Sequence, residues 1–205
     1  RILHWVTFYT LLVMVWSGML IYWAYPAYKI GSWPVIPKSW FNVLGLESQL
    51  ANGLAYHFNF MWILMGAGFF YLLFSTFFQN WKHLVPIPSD GKRLWQKGRF
   101  ALGLEKENPI EGKYNPAQKL AYFTTILALA LVVASGWAIY KPARLFWMAE
   151  ALGGYRNARF IHFSCTVYLV LFFIVHVIQV IRAGWRNFSA MVTGGTSTQS
   201  PNQIP

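Results

Sequence analysis

The chain has 205 residues, of which 56% are hydrophobic, 19% aromatic and only 11% charged, against roughly 25% charged in an ordinary soluble domain. A soluble protein this poor in charge would lack the polar surface to cover its core, so the composition favours lipid contact. The net charge of +11 does not indicate nucleic-acid binding, because Lys and Arg lie between long apolar runs and form no basic patch. The single cysteine, Cys165, excludes an internal disulfide.

Four long apolar segments predict membrane-spanning helices, since a span needs roughly 20 mostly apolar residues. In chain order we place them at about residues 3–24, 53–79, 119–140 and 159–182. The first is too long for the apolar part of a signal peptide, roughly 7–15 residues, and because the chain starts with Arg1 we expect residues before it. The predicted fold is an all-α, integral membrane four-helix bundle over residues 1–192, with a flexible tail over 193–205.

The distribution of Lys and Arg predicts the orientation of the spans. Eleven of these residues lie in the middle loop and at the two ends, and six lie in the first and third loops. Both termini should therefore face the cytoplasm, which makes the protein a multi-pass protein of the cytoplasmic (inner) membrane.

Histidine is the residue type that carries chemistry in this sequence. Four of the five histidines fall within the predicted helices: His4, His57, His162 and His176. Any one of them alone is explained by a hydrogen bond to a neighbouring helix. The fifth, His83, follows the second span and is interpreted as a surface or interfacial residue.

The positions of these four histidines together favour cofactor binding. His162 and His176 are fourteen residues apart on one predicted helix, so they share a face and are separated by about 21 Å. His57 matches His162 in predicted depth, and His4 matches His176. Two bis-histidine sites at two depths are therefore geometrically possible, which is how a helical bundle holds low-spin haem for electron transfer.

Two glycines agree with this interpretation. Gly18 follows His4 by fourteen residues, and Gly68 follows His57 by eleven, so each lies on its histidine's face at the other depth. Each glycine would let the backbone approach the other haem closely. The alternative, tight packing of membrane helices at small residues, remains open.

Other site types fit the residues less well. A zinc or di-metal site needs ligands converging at one depth, usually with carboxylates or cysteines, and a proton-coupled transporter normally has acidic residues in its helices. None of the six Asp and Glu residues falls in a predicted span. A haem-free membrane anchor and a small polytopic channel or transporter remain the alternative functions.

The chain resembles the di-haem cytochrome b subunits of membrane-bound formate dehydrogenases, nickel–iron hydrogenases and thiosulfate reductases. The resemblance covers nearly the whole chain and rests on four features: the R-I-L-H-W opening, His57, the G-K-Y-N-P-A-Q-K-L segment at 112–120, and the H-x13-H spacing of the last span. It implies the pairs His57–His162 on the outer side and His4–His176 on the inner side, with two haem b groups as cofactors.

The resemblance also implies a quinone pocket beside the inner haem, to which Asn115 contributes, with Gln118 and Lys119 as weaker candidates. Such side chains can donate hydrogen bonds to quinone carbonyls. The alternative is that Asn115 and Pro116 only cap the third helix.

The function that follows is electron transfer by a subunit with no substrate chemistry of its own. Electrons would pass through the two haems between quinone and an extracytoplasmic iron–sulfur or molybdopterin subunit. The expected partners are that subunit, quinone and membrane lipid, in a complex that can form higher oligomers, with no nucleic acid among them.

Overall fold

The structure is a computed structural model that describes residues 1–25, 28–78, 85–101, 104 and 116–194, apart from the side chains of residues 97, 98 and 101. His83, Asn115 and tail residues 195–205 lie outside the described residues, and so do the expectations that concern them.

Ten elements follow one another along the described chain. They are α1 (Ile2–Trp23), β1 (Lys29–Ile30), β2 (Trp33–Pro34), α2 (Lys38–Val43), α3 (Leu50–Phe77), α4 (Pro88–Ala101), α5 (Pro116–Tyr140), α6 (Phe146–Ala151), α7 (Tyr155–Ala183) and α8 (Trp185–Thr193).

Four of the helices, α1, α3, α5 and α7, are long and apolar enough to cross a membrane. The prediction of an all-α membrane protein with four spans is therefore confirmed. The helices begin one to four residues earlier than predicted, and α3 ends two residues earlier. The early start of α7 adds a polar first turn, Y-R-N-A-R, that hydropathy alone does not assign to a span.

Local sequence explains where α5 and α7 begin and end. α5 starts at Pro116, whose fixed φ and missing N–H suit the first helical position. α7 lies between Gly154 and Gly184, which have φ of 94° and 83°, values that favour glycine. No Gly or Pro interrupts its 29 residues, so one continuous helix carries both His162 and His176.

The chain divides into two compact units, Arg1–Phe74 and Ser75–Pro205, and each is described by itself. In the first unit α1 and α3 come close together at Gly53. A Cβ placed there would lie 2.8 Å from the Cβ of Leu20 and 3.1 Å from the carbonyl oxygen of Ser17. Only a residue without a side chain allows this approach.

The segment between α1 and α3 folds back onto the end of α1. Phe41 of α2 is fully buried, and its ring stacks on that of Tyr22 with centroids 6.0 Å apart. Trp33 and Trp40 of this segment are exposed.

In the second unit small residues bring helices together. Ala138 of α5, Ala149 of α6 and Ala158 of α7 form one buried cluster. Ala128, Val132 and Leu169 form a second cluster between α5 and α7. Small side chains let membrane helices pack closely without a hydrophobic driving force between them.

We expect Gly53→Ala to destabilise the protein by about 1–3 kcal/mol, the usual cost of an overpacked contact, because the new methyl group overlaps Leu20. The measurement is the thermal unfolding midpoint in detergent. Gly66→Ala is the matched control, since a Cβ at Gly66 meets no atom within 4 Å. Equal unfolding midpoints for the two variants would contradict this account of the α1–α3 contact.

Candidate functional site

In the first unit His57 of α3 meets a serine and a glycine of α1. The Oγ of Ser17 lies 3.0 Å from the Nδ1 of His57, and Ser17 is fully buried. A Cβ at the neighbouring Gly18 would lie 3.6 Å from the Cε1 of His57. The His57 ring is therefore held against one turn of α1.

In the second unit His162 of α7 meets the same pair of residue types on α5. The Oγ of Ser135, fully buried, lies 3.2 Å from the Nδ1 of His162. The carbonyl oxygen of Val132 lies 3.0 Å from the same nitrogen, so the single Nδ1–H is shared between the carbonyl and the hydroxyl. A Cβ at Gly136 would lie 3.1 Å from the Cε1 of His162, so this approach is closer than the one at Gly18.

The hydrogen bonds of His162 assign its tautomer. The carbonyl of Val132 can only accept, so Nδ1 of His162 carries the proton and Nε2 carries the lone pair that a metal ion requires. The Ser135 hydroxyl donates to the carbonyl of Leu131 at 2.5 Å. The Ser17 hydroxyl has two partners within reach, the carbonyl of Met14 at 3.2 Å and Nδ1 of His57, and it accepts from His57 in the tautomer that leaves Nε2 to a metal ion.

The other two predicted ligands lie on α1 and α7. His4 is in the first turn of α1 and is exposed, with its ring edge-on to Trp5 at 5.4 Å. His176 is half-buried on α7, and its ring stacks on Phe172 at 5.9 Å. Both predicted pairs join residues of the two units, so the pairing remains a prediction.

A Cβ at Gly68 would meet no atom within 4 Å, so its proposed packing against haem also remains a prediction. Sequence analysis identified Gly18 but missed Ser17, Ser135 and Gly136. The information was present as a repeated Ser-Gly pair, at 17–18 in the first span and at 135–136 in the third.

Of the predicted quinone residues, Gln118 and Lys119 lie in the first turn of α5. The ammonium group of Lys119 donates a hydrogen bond to the carboxylate of Asp90 in α4 at 2.8 Å. The backbone N–H of Ile87 and the Lys119 ammonium hold the pKa of Asp90 below its usual range. Lys119 therefore has a structural role, joining the starts of α4 and α5, and its quinone role remains a prediction.

The family model described as prokaryotic cytochrome b561 matches residues 1–194. The chain belongs to this family. The prediction of a membrane cytochrome b is thereby confirmed, and as a prokaryotic cytochrome b561 the chain is a multi-pass protein of the inner membrane that transfers electrons with haem b.

Three relatives of this cytochrome b illustrate the range of its similarity. It is 31% identical to a putative protein-methionine-sulfoxide reductase subunit YedZ1 of Azospira oryzae, over 95% of this chain and 93% of the relative. It is 26% identical to the formate dehydrogenase cytochrome b556(fdo) subunit of Escherichia coli K12, over 86% and 73%. It is 24% identical to a probable Ni/Fe-hydrogenase B-type cytochrome subunit of Rhodobacter capsulatus, over 94% and 75%. No solved structure matches the chain.

The residues of the cytochrome b fit a haem ligand set. Both His57 and His162 have Nδ1 within hydrogen-bond distance of a partner in their own unit, so Nε2 is the nitrogen that would bind haem iron. Because Gly18 and Gly136 have no side chain, each histidine ring keeps the space that a Cβ at that position would occupy.

We expect Gly136→Ala to weaken haem retention by about tenfold, the lower end of the effect of displacing residues around a metal ligand, because the added Cβ forces the His162 ring to move. Haem per chain, measured as the pyridine haemochrome after purification, tests this. Gly18→Ala should have a smaller effect, and Gly66→Ala none. Equal haem content in Gly136→Ala and Gly66→Ala would show that the close contact between Gly136 and the His162 ring does not affect haem retention.

Proposed function

We propose that this cytochrome b holds two haem b groups, one between His57 and His162 and one between His4 and His176, and connects an extracytoplasmic redox subunit with the quinone pool. The observation that carries the proposal is the matching environment of His57 and His162. Both rings lie against a Ser-Gly pair on a neighbouring helix of their own unit, with Nδ1 3.0–3.2 Å from the serine Oγ.

The chain's own residues bind and orient, and haem b would supply reversible one-electron transfer. α7 provides one ligand to each proposed site, fourteen residues apart on a continuous helix. The helical rise sets their separation along the axis at about 21 Å. The second ligand would be His57 of α3 at the site of His162, and His4 of α1 at the site of His176.

The quinone site is proposed at the start of α5, where Asn115 would donate a hydrogen bond to a quinone carbonyl, with Gln118 exposed nearby in the first turn. The position of Pro116 as the first residue of α5 also supports the alternative, in which Asn115 and Pro116 cap the helix. The salt bridge between Lys119 and Asp90 leaves Lys119 the weaker quinone candidate.

The redox partner is proposed to be an iron–sulfur or molybdopterin subunit on the extracytoplasmic side. The relatives support a redox partner, because they are subunits of a reductase, a dehydrogenase and a hydrogenase. A reductase consumes electrons and a dehydrogenase releases them, so the direction of flow follows from the potentials of the partner and of the quinone.

The orientation is proposed from the charge distribution, with both termini in the cytoplasm. Lys141, Arg144, Arg156 and Arg159 then lie on the extracytoplasmic side, where cations can pair with haem propionates or dock an acidic partner surface.

We expect close to two haem b groups per purified chain, measured by the pyridine haemochrome assay and a reduced-minus-oxidised spectrum. A value near zero would favour the haem-free anchor or channel. His57→Ala and His162→Ala should each remove the same haem, while His4→Ala and His176→Ala remove the other. If His57→Ala and His162→Ala remove haems of different potential, the proposed pairing is wrong.

We expect Asn115→Ala to raise the KM for quinol by about three- to tenfold, the effect of losing one hydrogen bond, with haem content unchanged. Steady-state quinol-linked haem reduction measures this. Asn187→Ala is the matched control, because Asn187 is a half-buried residue of α8 whose side chain donates to the carbonyl of Ala183. Equal quinol kinetics in both variants would leave Asn115 with only the capping role.

A further inference from the structure

Ser17 and Ser135 have the same relation to two histidines in two separate units. Each is followed by a glycine, is fully buried, and places its Oγ 3.0–3.2 Å from a histidine Nδ1. Neither serine is needed to fill space, because alanine would pack the same helix contact at almost the same volume. The repeated hydroxyl therefore points to a polar role.

Both serines also reach carbonyls of their own helix: Ser17 that of Met14, and Ser135 those of Leu131 and Val132. A hydroxyl that donates its one proton to such a carbonyl presents lone pairs to the histidine. A neutral imidazole whose Nε2 binds iron carries its proton on Nδ1. With haem bound as proposed, each serine is therefore the acceptor and the Nδ1–H of the histidine is the donor.

We propose that Ser17 and Ser135 are positioning residues for one and the same haem, holding its two axial histidines in the Nδ1–H form at fixed ring angles. This inference rests on the proposed His57–His162 pair. It assigns each ligand of that haem a serine from the neighbouring helix of its own unit, α1 for His57 and α5 for His162.

Two consequences follow from a hydrogen bond at the nitrogen remote from the metal. It fixes the rotation of the imidazole ring about its Cβ–Cγ bond, and it increases the basicity of the other nitrogen. A more basic ligand stabilises the ferric state over the ferrous state and lowers the midpoint potential. Removing the acceptor should therefore raise the potential and loosen the ring angle.

The test is a potentiometric titration of the purified holoprotein and of Ser17→Ala and Ser135→Ala. We expect each variant to increase the ferrous-to-ferric ratio of one haem at fixed potential by about three- to tenfold, the worth of one hydrogen bond. At 59 mV per tenfold for a one-electron couple, this is an upward shift of about 28–59 mV. Ser135→Ala should give a shift near the lower end of this range, because the Val132 carbonyl can still accept a hydrogen bond from the Nδ1–H of His162.

The electron paramagnetic resonance spectrum gives a second readout. The g-values of a low-spin ferric haem depend on the angle between its two imidazole planes, so both variants should shift the g-values of the same haem. Ser17→Thr and Ser135→Thr, which keep the hydroxyl, should restore the wild-type potential.

The molecule contains two controls. The haem held by His4 and His176 should keep its potential in every serine variant. Ser164→Ala is the matched substitution, because Ser164 lies two residues after His162 on α7, about 200° around the helix, and should change neither haem.

Unchanged potential and g-values in both alanine variants, with haem content retained, would overturn the inference while leaving the proposed function intact. Shifts in two different haems would overturn both the inference and the pairing. A chain without haem would contradict the proposed function itself.

A variant that loses haem does not end the test, because pulsed paramagnetic resonance on the unmodified protein reports the remote ligand nitrogens directly. Hydrogen-bonded Nδ1–H on both ligands of one haem supports the inference. Deprotonated or unbonded Nδ1 atoms would overturn it.

Discussion

An imidazole inside a membrane helix has two nitrogens with different needs, and the structure depends on meeting both. One nitrogen must have a hydrogen-bond partner, because the apolar interior offers no water. The other must present its lone pair if the ring is to bind a metal ion. At His57 and His162 a hydroxyl from the neighbouring helix, together with a carbonyl at His162, meets the first need at Nδ1, and the second is thereby assigned to Nε2.

A serine side chain is short, so this bond forms only where two helices approach closely. In the first unit Gly53 provides that approach, one turn before His57, where a Cβ would overlap Leu20. In the second unit Ala138 and Ala158 are packed with no exposed surface, one turn from Ser135 and His162 respectively. The small residues therefore set the distance between neighbouring helices that the serine–histidine hydrogen bonds require.

Much of the fold could be predicted from the sequence, because membrane spans are determined by local hydropathy. The polar first turn of α7 could not, since Arg156 and Arg159 resemble loop charges until the helix is seen to start at Tyr155. The bond between Lys119 and Asp90 joins residues 29 positions apart, and no local pattern predicts such a contact. The chemistry of histidine identified the candidate ligands. The serines that orient them could not be identified in the same way, because their role depends on which helices are in contact. Hydropathy does not predict these contacts, since a membrane span is apolar on all sides.

α7 differs from the other long helices in carrying a predicted ligand for each of two sites, and this places a constraint on its sequence. A kink between His162 and His176 would rotate one imidazole away from its site, and kinks in helices come mostly from Pro, Gly or inserted polar groups. The intervening segment is F-S-C-T-V-Y-L-V-L-F-F-I-V, which has neither Pro nor Gly. The hydroxyl of Thr166 bonds back to the carbonyl of His162, and that of Tyr168 bonds Thr124 of α5, so these two hydroxyls are satisfied without breaking the helix. Backbone regularity over these fourteen residues is therefore what would fix the distance between two electron carriers, and side-chain packing has only to set their angles.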